Sequence, residues 1–164
     1  MAATRSHVLI ATDKALKAFF TAANLAGLAA ANIGRAKEVV DKSFPVLICH
    51  AHSALRKRAK NWEISGLLTL KTDITDDTGQ VTDAQKLASD ALELALLEAL
   101  ESYIPEDDRP QPLAAAITSA AVAAEAVNAN EWLMTGILLR NVATGFDEEE
   151  IWTFSVDFTA TVIA

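Results

Sequence analysis

The sequence predicts one α+β domain over residues 1–164, a two-layer sandwich in which helices pack on one face of a sheet. Three observations predict this architecture. Helical and strand periodicities alternate along the chain in the order α-β-β-α-β-β. Short loops join neighbouring strands, so the sheet should have about four strands and be mainly antiparallel. Alanine supplies 32 of the 164 residues, which favours a large helical content.

The first helix and the first strand come from the first third of the chain. Apolar residues spaced three and four apart predict a helix over Thr4–Asn24. Residues 25–42 are alanine-rich and then charged, a pattern that leaves both a short helix and a strand open. A strand over Val46–Cys49 begins after Pro45, because proline cannot donate to an interior ladder. Residues 53–61 are polar and basic and predict a connection.

The middle of the chain predicts a second strand and two helices. Trp62–Asp73 alternates apolar and polar residues with one exception, and so indicates a strand that is buried on one face. The run Thr82–Gln85 has the pattern of a capping box, which opens a helix running to about Tyr103. Leu113–Val127 is apolar and alanine-rich and favours a helix, although its β-branched residues leave a strand open over residues 111–130.

The last third of the chain predicts a β-hairpin. Trp132–Asn141 forms one strand and Ile151–Ile163 the other, and the second alternates apolar and polar residues through almost its whole length. Gly145–Glu150 supplies the turn. The polar face of the last strand is rich in Thr and Ser rather than Lys, so this face and the sheet edge are weakly protected against pairing with another chain.

Composition excludes several classes of protein. The formal charge of −8 and the pI near 4.8 argue against a nucleic-acid-binding surface that covers the whole protein. The single cysteine, Cys49, cannot close an internal disulfide, which suits a reducing compartment. The first residues lack the layout of a signal peptide, and the uncharged stretch Ala18–Gly34 is too polar and alanine-rich to predict a membrane span.

The sequence contains no recognisable catalytic motif. It has no Gly-rich phosphate loop, no Gly-x-Ser-x-Gly turn and no His-Glu-x-x-His. Cys49 lies in an apolar run and predicts an inert core thiol, because its neighbour His50 points to the opposite face of a strand. The carboxylate runs Asp76–Asp77, Asp107–Asp108 and Asp147–Glu150 lie in turns and indicate solvated charges. We therefore predict no catalytic residue, no cofactor and no enzyme activity.

A metal site is the alternative that the histidines raise. His50 and His52 are two residues apart, so on a strand they share a face at a spacing that a metal pair can use. No third ligand is evident, and we predict no metal ligand. A small metal- or ligand-binding domain nevertheless remains as a hypothesis from a different functional class.

The most unusual feature is a cationic loop on an acidic chain. Four of the 14 basic residues fall within five positions, and like charges crowded in this way meet an acidic partner or stay solvated. Three interpretations stand: a solubilising loop, docking against the acidic turn of a neighbouring copy, and a nucleic-acid contact. The candidate subunit-interface residues are Arg56, Lys57, Arg58 and Lys60 on the basic side and Asp147, Glu148, Glu149 and Glu150 on the acidic side.

Four short runs resemble one family of proteins. Phe44–Ile48 (FPVLI) and Asn61–Ile64 (NWEI) follow the first helix, and Gly145–Asp147 (GFD) and Ile151–Phe158 (IWTFSVDF) close the chain. Together with the order of elements they resemble the tail terminator, or tail completion, proteins that join tail to head in long-tailed bacteriophages. The alanine-rich Leu25–Ala36 and Leu113–Val127 segments depart from that pattern.

The resemblance implies a structural role in the virion tail or neck. Such proteins form a hexameric ring that caps the tail tube, stops its growth and joins it to the head connector, after assembly in the host cytoplasm. It implies as partners other copies of the chain, the tail tube protein and the connector, with DNA only passing through the lumen and no membrane involved. Another head–tail connector or a minor tail protein is the alternative within the same class.

Overall fold

The computed structural model describes residues 3–75, 78–101 and 112–164, in which four helices and five strands are formed. The helices are α1 (Arg5–Ala23), α2 (Ala36–Val39), α3 (Asp83–Glu101) and α4 (Pro112–Ala123), with a 3-10 turn at Ala30–Asn32. The strands are β1 (Ile33–Gly34), β2 (Val46–Arg56), β3 (Asn61–Thr72), β4 (Leu133–Phe146) and β5 (Trp152–Ile163). The predicted α+β class is confirmed.

The strand count and the order of elements differ from the prediction. The sheet is mixed and five-stranded, in the order β1-β2-β3-β5-β4, with β1 parallel to β2 and the other pairs antiparallel. The predicted count of about four and the order α-β-β-α-β-β are therefore wrong. The additional strand, β1, has only two residues and lies inside the ambiguous segment 25–42, so no alternation could reveal it.

Helix α1 matches its predicted bounds because local signals set both ends. The Thr4 hydroxyl accepts a hydrogen bond from the His7 backbone N–H at 3.4 Å, as an N-cap residue does. Asn24 closes the helix in the left-handed conformation, with φ of 51°. Neither cap depends on the rest of the fold, so both could be predicted from sequence.

The β2–β3 hairpin is longer than predicted. Residues 53–56, predicted as part of a connection, continue β2 through a bulge at Ala51/Ser53 and pair with β3. A ladder partner satisfies the backbone groups of polar and apolar residues alike, so β2 extends beyond its apolar core. Only residues 57–60 remain as the turn. Strand β4 likewise runs on to Phe146, past its predicted end at Asn141.

Both predicted helices of the middle segment are formed. Thr82 Oγ accepts from the Gln85 backbone N–H at 3.3 Å, which is one half of the predicted capping box. The Gln85 side chain reaches back to the Thr82 hydroxyl rather than to its backbone: Oε1 accepts from Thr82 Oγ at 2.6 Å, and Nε2 donates to Thr75 O at 2.6 Å. The predicted end of α3 near Tyr103 lies outside the described residues. Helix α4 confirms the helical alternative for residues 113–127, although it ends at Ala123.

One face of the sheet carries the core. Alternate residues of β3 and β5 are buried there and form a single cluster with apolar residues of α1, α3 and α4. The opposite face of the same strands is half-buried and rich in Thr and Ser. No helix among the described residues is long and apolar enough to cross a membrane.

The edge strand β4 is irregular. Its register with β5 breaks between Met134 and Gly136 and again between Leu139 and Val142. Such bulges bend and twist an edge, which makes continuous pairing with another strand harder. This edge is therefore better protected than the Thr- and Ser-rich composition of β5 predicted.

Candidate subunit interface

The predicted basic and acidic residues lie at opposite ends of one sheet. At one end Asn61 and Leu133 both pair with Ile163, beside the β2–β3 turn. At the other end Thr72 and Phe146 both pair with Trp152, beside the β4–β5 turn. A strand of the length of β3 separates these ends by about 37 Å. The two charged turns of one chain therefore cannot contact each other.

Two of the four basic candidates have partners within the chain. One terminal nitrogen of Arg56 donates to Ala3 O at 2.7 Å, and its guanidinium carbon lies 4.6 Å from the centroid of the Trp62 ring. Lys57 Nζ lies 3.6 Å from Glu63 Oε2 in an exposed ion pair. Arg56 thus fixes the start of the chain to the hairpin, whereas the exposed Lys57 pair contributes little to stability.

The other two basic candidates face solvent. Arg58 and Lys60 are exposed, and neither takes part in an ion pair within the described ranges. The Lys60 backbone is nevertheless held, because its carbonyl accepts from the Ala164 N–H at 2.8 Å. The hairpin therefore presents two unpaired cations from an ordered backbone.

Asp147 shapes the acidic turn rather than presenting a charge. Its Oδ1 accepts from the Glu149 N–H at 2.9 Å and from the Ile151 N–H at 3.0 Å, and its Oδ2 lies 3.2 Å from Lys71 Nζ. The hydrogen bond from Ile151, with those from Lys71 and Glu149 and the Lys71 charge, holds the pKa of Asp147 below its usual range. Sequence reasoning placed Asp147 among the interface residues, and the structure gives it local partners instead.

The three glutamates of the turn face solvent. Glu148, Glu149 and Glu150 are exposed, and no ion pair of the described chain includes them. Glu150 has φ of 61°, and its N–H donates to Asp147 O at 3.1 Å. The turn is therefore a compact projection that carries three unpaired carboxylates.

A cleft beside the basic turn was missed by sequence reasoning. It has a volume of about 680 Å³ and lies between the start of α1, residues 126–133 and the end of β5. Its ionisable side chains are His7, Lys14, Lys60 and Glu131, and the buried Trp132 forms part of its wall. His7 and Lys14 are seven residues apart on α1 and so share a face, which is the one signal that the sequence offered.

Cys49, His50 and His52 all lie on β2. Cys49 is fully buried, as predicted, and burial raises the pKa of its thiol above the ordinary range. The rings of His50 and His52 lie 6.1 Å apart between centroids. Within the part of the chain that the structure describes, no three His, Cys, Asp or Glu residues are grouped to hold a metal ion. Asp76–Asp77 and Asp107–Asp108 lie outside it.

The contacts of Arg56 make a local prediction. Arg56→Ala should lower the free energy of unfolding by about 1 kcal/mol, because it removes the cation–π contact with Trp62 and the bond to Ala3 O. Arg58→Ala, two residues away in the same hairpin, should change it by less than about 0.5 kcal/mol. Urea unfolding of both variants measures the difference. Equal losses would show that Arg56 contributes no more than an exposed charge.

Comparisons with protein families and with curated proteins assign no family to this chain. No protein-family model matches the chain, and no curated protein sequence matches it significantly.

Proposed function

We propose that the chain is a structural protein of a bacteriophage virion: a tail terminator whose copies form a homohexameric ring that caps the tail tube and joins it to the head connector. The observation that carries the proposal is the placement of unpaired charge. Arg58 and Lys60 lie at one end of the sheet and Glu148–Glu150 at the other. This arrangement favours a contact in which the basic end of one copy meets the acidic end of the next.

A head-to-tail contact of this kind produces a ring when its rotation closes. It uses two different surfaces of the same chain. Every copy in a closed ring is therefore equivalent, and both contact surfaces of each copy are occupied. A single contact type can therefore build a closed collar without a second protein. The exposed charges also steer the copies together and align them.

The formal charge of −8 suits a ring that DNA passes through. An acidic lumen repels phosphate groups, so the genome would slide through it without being held. The proposed role involves no turnover and no cofactor. The proposed partners are other copies of the chain, the tail tube protein and the head connector, in the virion after assembly in the host cytoplasm.

The resemblance to the terminator family supports the same role through the elements that carry it, although β1, α2 and α4 are additional to the predicted order. The structure contains an N-terminal helix, a strand that starts after Pro45, a strand led by Trp62, a further helix and a closing hairpin. These are the elements by which the sequence resembles the terminator family.

The decisive measurement is the position of the protein in the particle. Quantitative mass spectrometry of purified virions should detect about six copies per particle, as one hexameric ring requires. Phage that lacks the gene should produce tails of irregular length without heads. Absence of the protein from virions, or tails of normal length that join heads normally, would contradict the proposal.

The same preparation separates a terminator from another connector. Purified tails and purified DNA-filled heads should be analysed from mutants blocked at head–tail joining. A terminator remains with the tails, at their head-proximal end, whereas a connector remains with the heads. Recovery with the heads would overturn the terminator role in favour of the connector alternative.

A further inference from the structure

We propose that the cleft beside the basic turn is the docking site for the acidic turn of a second copy, with Lys14 and Lys60 as its charge-recognising residues. This inference rests on the proposed ring assembly and names the surfaces that make its contact. The basic surface is then formed by two lysines from different elements, rather than by the whole cationic loop that the sequence suggested.

The cleft is lined by more lysines than carboxylate side chains. Lys14 comes from α1 and Lys60 from the β2–β3 turn, and both line the same space. Neither lysine is in an ion pair with any residue that the structure describes. His7 adds an imidazole, and Glu131 is the single carboxylate side chain in the lining. Two free ammonium groups in a concave site favour a carboxylate ligand.

The cleft has the size for a turn rather than for one side chain. Its volume of about 680 Å³ falls within the range of about 300–1,000 Å³ typical of ligand sites. Trp132, only 3% exposed, gives it a firm apolar wall, and Ile163, 38% exposed, lies at the end of β5 beside it. An occupant can therefore combine charged groups with some apolar contact.

The acidic turn is preformed for insertion. The Asp147 N–H donates to Ile151 O at 2.9 Å, and the Asp147 carboxylate holds the N–H groups of Glu149 and Ile151. A turn fixed before contact loses little conformational entropy on binding. It carries three unpaired carboxylates against the two unpaired lysines of the cleft.

Only a second copy can bring these surfaces together. The acidic turn of the same chain is at the far end of the sheet, about one β3 length or roughly 37 Å away. A contact between the two ends of different copies repeats without limit until it closes, as ring assembly requires.

Neutral variants of each surface test the pairing by sedimentation velocity of the whole chain. Lys14→Gln with Lys60→Gln, and separately Glu148→Gln with Glu149→Gln and Glu150→Gln, should each raise the dissociation constant for self-association about tenfold or more. Lys86→Gln is the matched control, because it removes an exposed lysine of α3 that does not line the cleft and has no ion-pair partner among the described residues. It should change the constant by less than about twofold.

Mixing the two neutral variants is the sharper test. The cleft variant keeps a native turn and the turn variant keeps a native cleft, so an equimolar mixture can form one native contact per pair. It should yield a 1:1 dimer and nothing larger, while each variant alone stays monomeric. Added salt should weaken this dimer, because its contact is largely electrostatic.

Several results would overturn the inference while leaving the virion role to its own test. These are a mixture that stays monomeric, cleft variants that assemble like the unmodified chain, or a Lys86→Gln effect as large as that of the lysine pair. An unmodified chain that stays monomeric at millimolar concentration would do the same. Detection of the protein in purified virions would still support the proposed function in each case.

Discussion

Replacing Gly66 with alanine should lower the free energy of unfolding by about 3 kcal/mol, the upper part of the range for overpacking a core. Gly66 lies in the centre of β3, between Ala51 on β2 and Phe158 on β5. A Cβ at this position would lie 2.6 Å from the backbone oxygen of His50 and would also overlap the end of the Phe158 ring. The ring can move only by leaving the core, and the carbonyl only by distorting the ladder.

Gly145→Ala provides the matched control for this substitution. Gly145 is also a strand glycine, but nothing lies within 4 Å of a Cβ built there. Its replacement should change stability by less than about 0.5 kcal/mol. Urea unfolding should place the midpoint of the Gly66 variant lower by about 1–2 M than that of the Gly145 variant.

A double-mutant cycle identifies the clash. Phe158→Leu removes the part of the ring nearest Gly66 and should destabilise the chain by itself, because Phe158 is 1% exposed. The combined Gly66→Ala/Phe158→Leu variant should lose less than the sum of the two single losses. Strict additivity would show that the ring does not limit the space at Gly66.

Lowering the pH from 7 to 4 should stabilise the native chain relative to its Asp13→Asn variant by on the order of 2–3 kcal/mol. Asp13 is 6% exposed on α1, and its Oδ1 accepts from the Ala51 N–H at 2.6 Å, at the bulge of β2. Burial raises the pKa of Asp13 to about 6, against opposing effects of the Ala51 hydrogen bond, His50 and Arg35.

The direction of this pH effect on stability follows from the raised pKa of Asp13. Between about pH 4 and 6 the folded chain holds a proton on Asp13 that the unfolded chain releases, so acidification through this window favours the folded state. Asparagine keeps an acceptor for the Ala51 N–H but does not titrate, so its variant lacks this contribution. Free energies of unfolding measured from pH 4 to 7 for both chains give the difference.

Asp147→Asn is the control with the opposite sign. The pKa of Asp147 is lowered, so its charged form stabilises the fold above its ordinary value, and that advantage is lost as the pH falls through the lowered value. Relative to this variant, the native chain should therefore change little between pH 7 and 4 and should lose stability only below about pH 4. If the difference in the free energy of unfolding between the native chain and Asp13→Asn does not change from pH 4 to 7, the raised pKa of Asp13 is contradicted.

Local signals in the sequence determined several elements of this protein. Helix α1 ends where Thr4 and Asn24 cap it, and β5 follows from its long alternation of apolar and polar residues. Cys49 is buried as its apolar neighbours predicted. Each of these features depends on residues close together in the chain, so a one-dimensional pattern records it.

Only the tertiary structure decided the remaining elements and the state of the charges. Strand β1 exists because β2 offers its two residues a parallel partner, and β2 continues past Ser53 because β3 completes the ladder. The charged candidates looked alike in sequence, yet Arg56 and Asp147 are held within the chain while Lys60 joins Lys14 in a cleft. Charge is a property of a residue, but whether that charge is already paired depends on which distant residues the fold brings beside it.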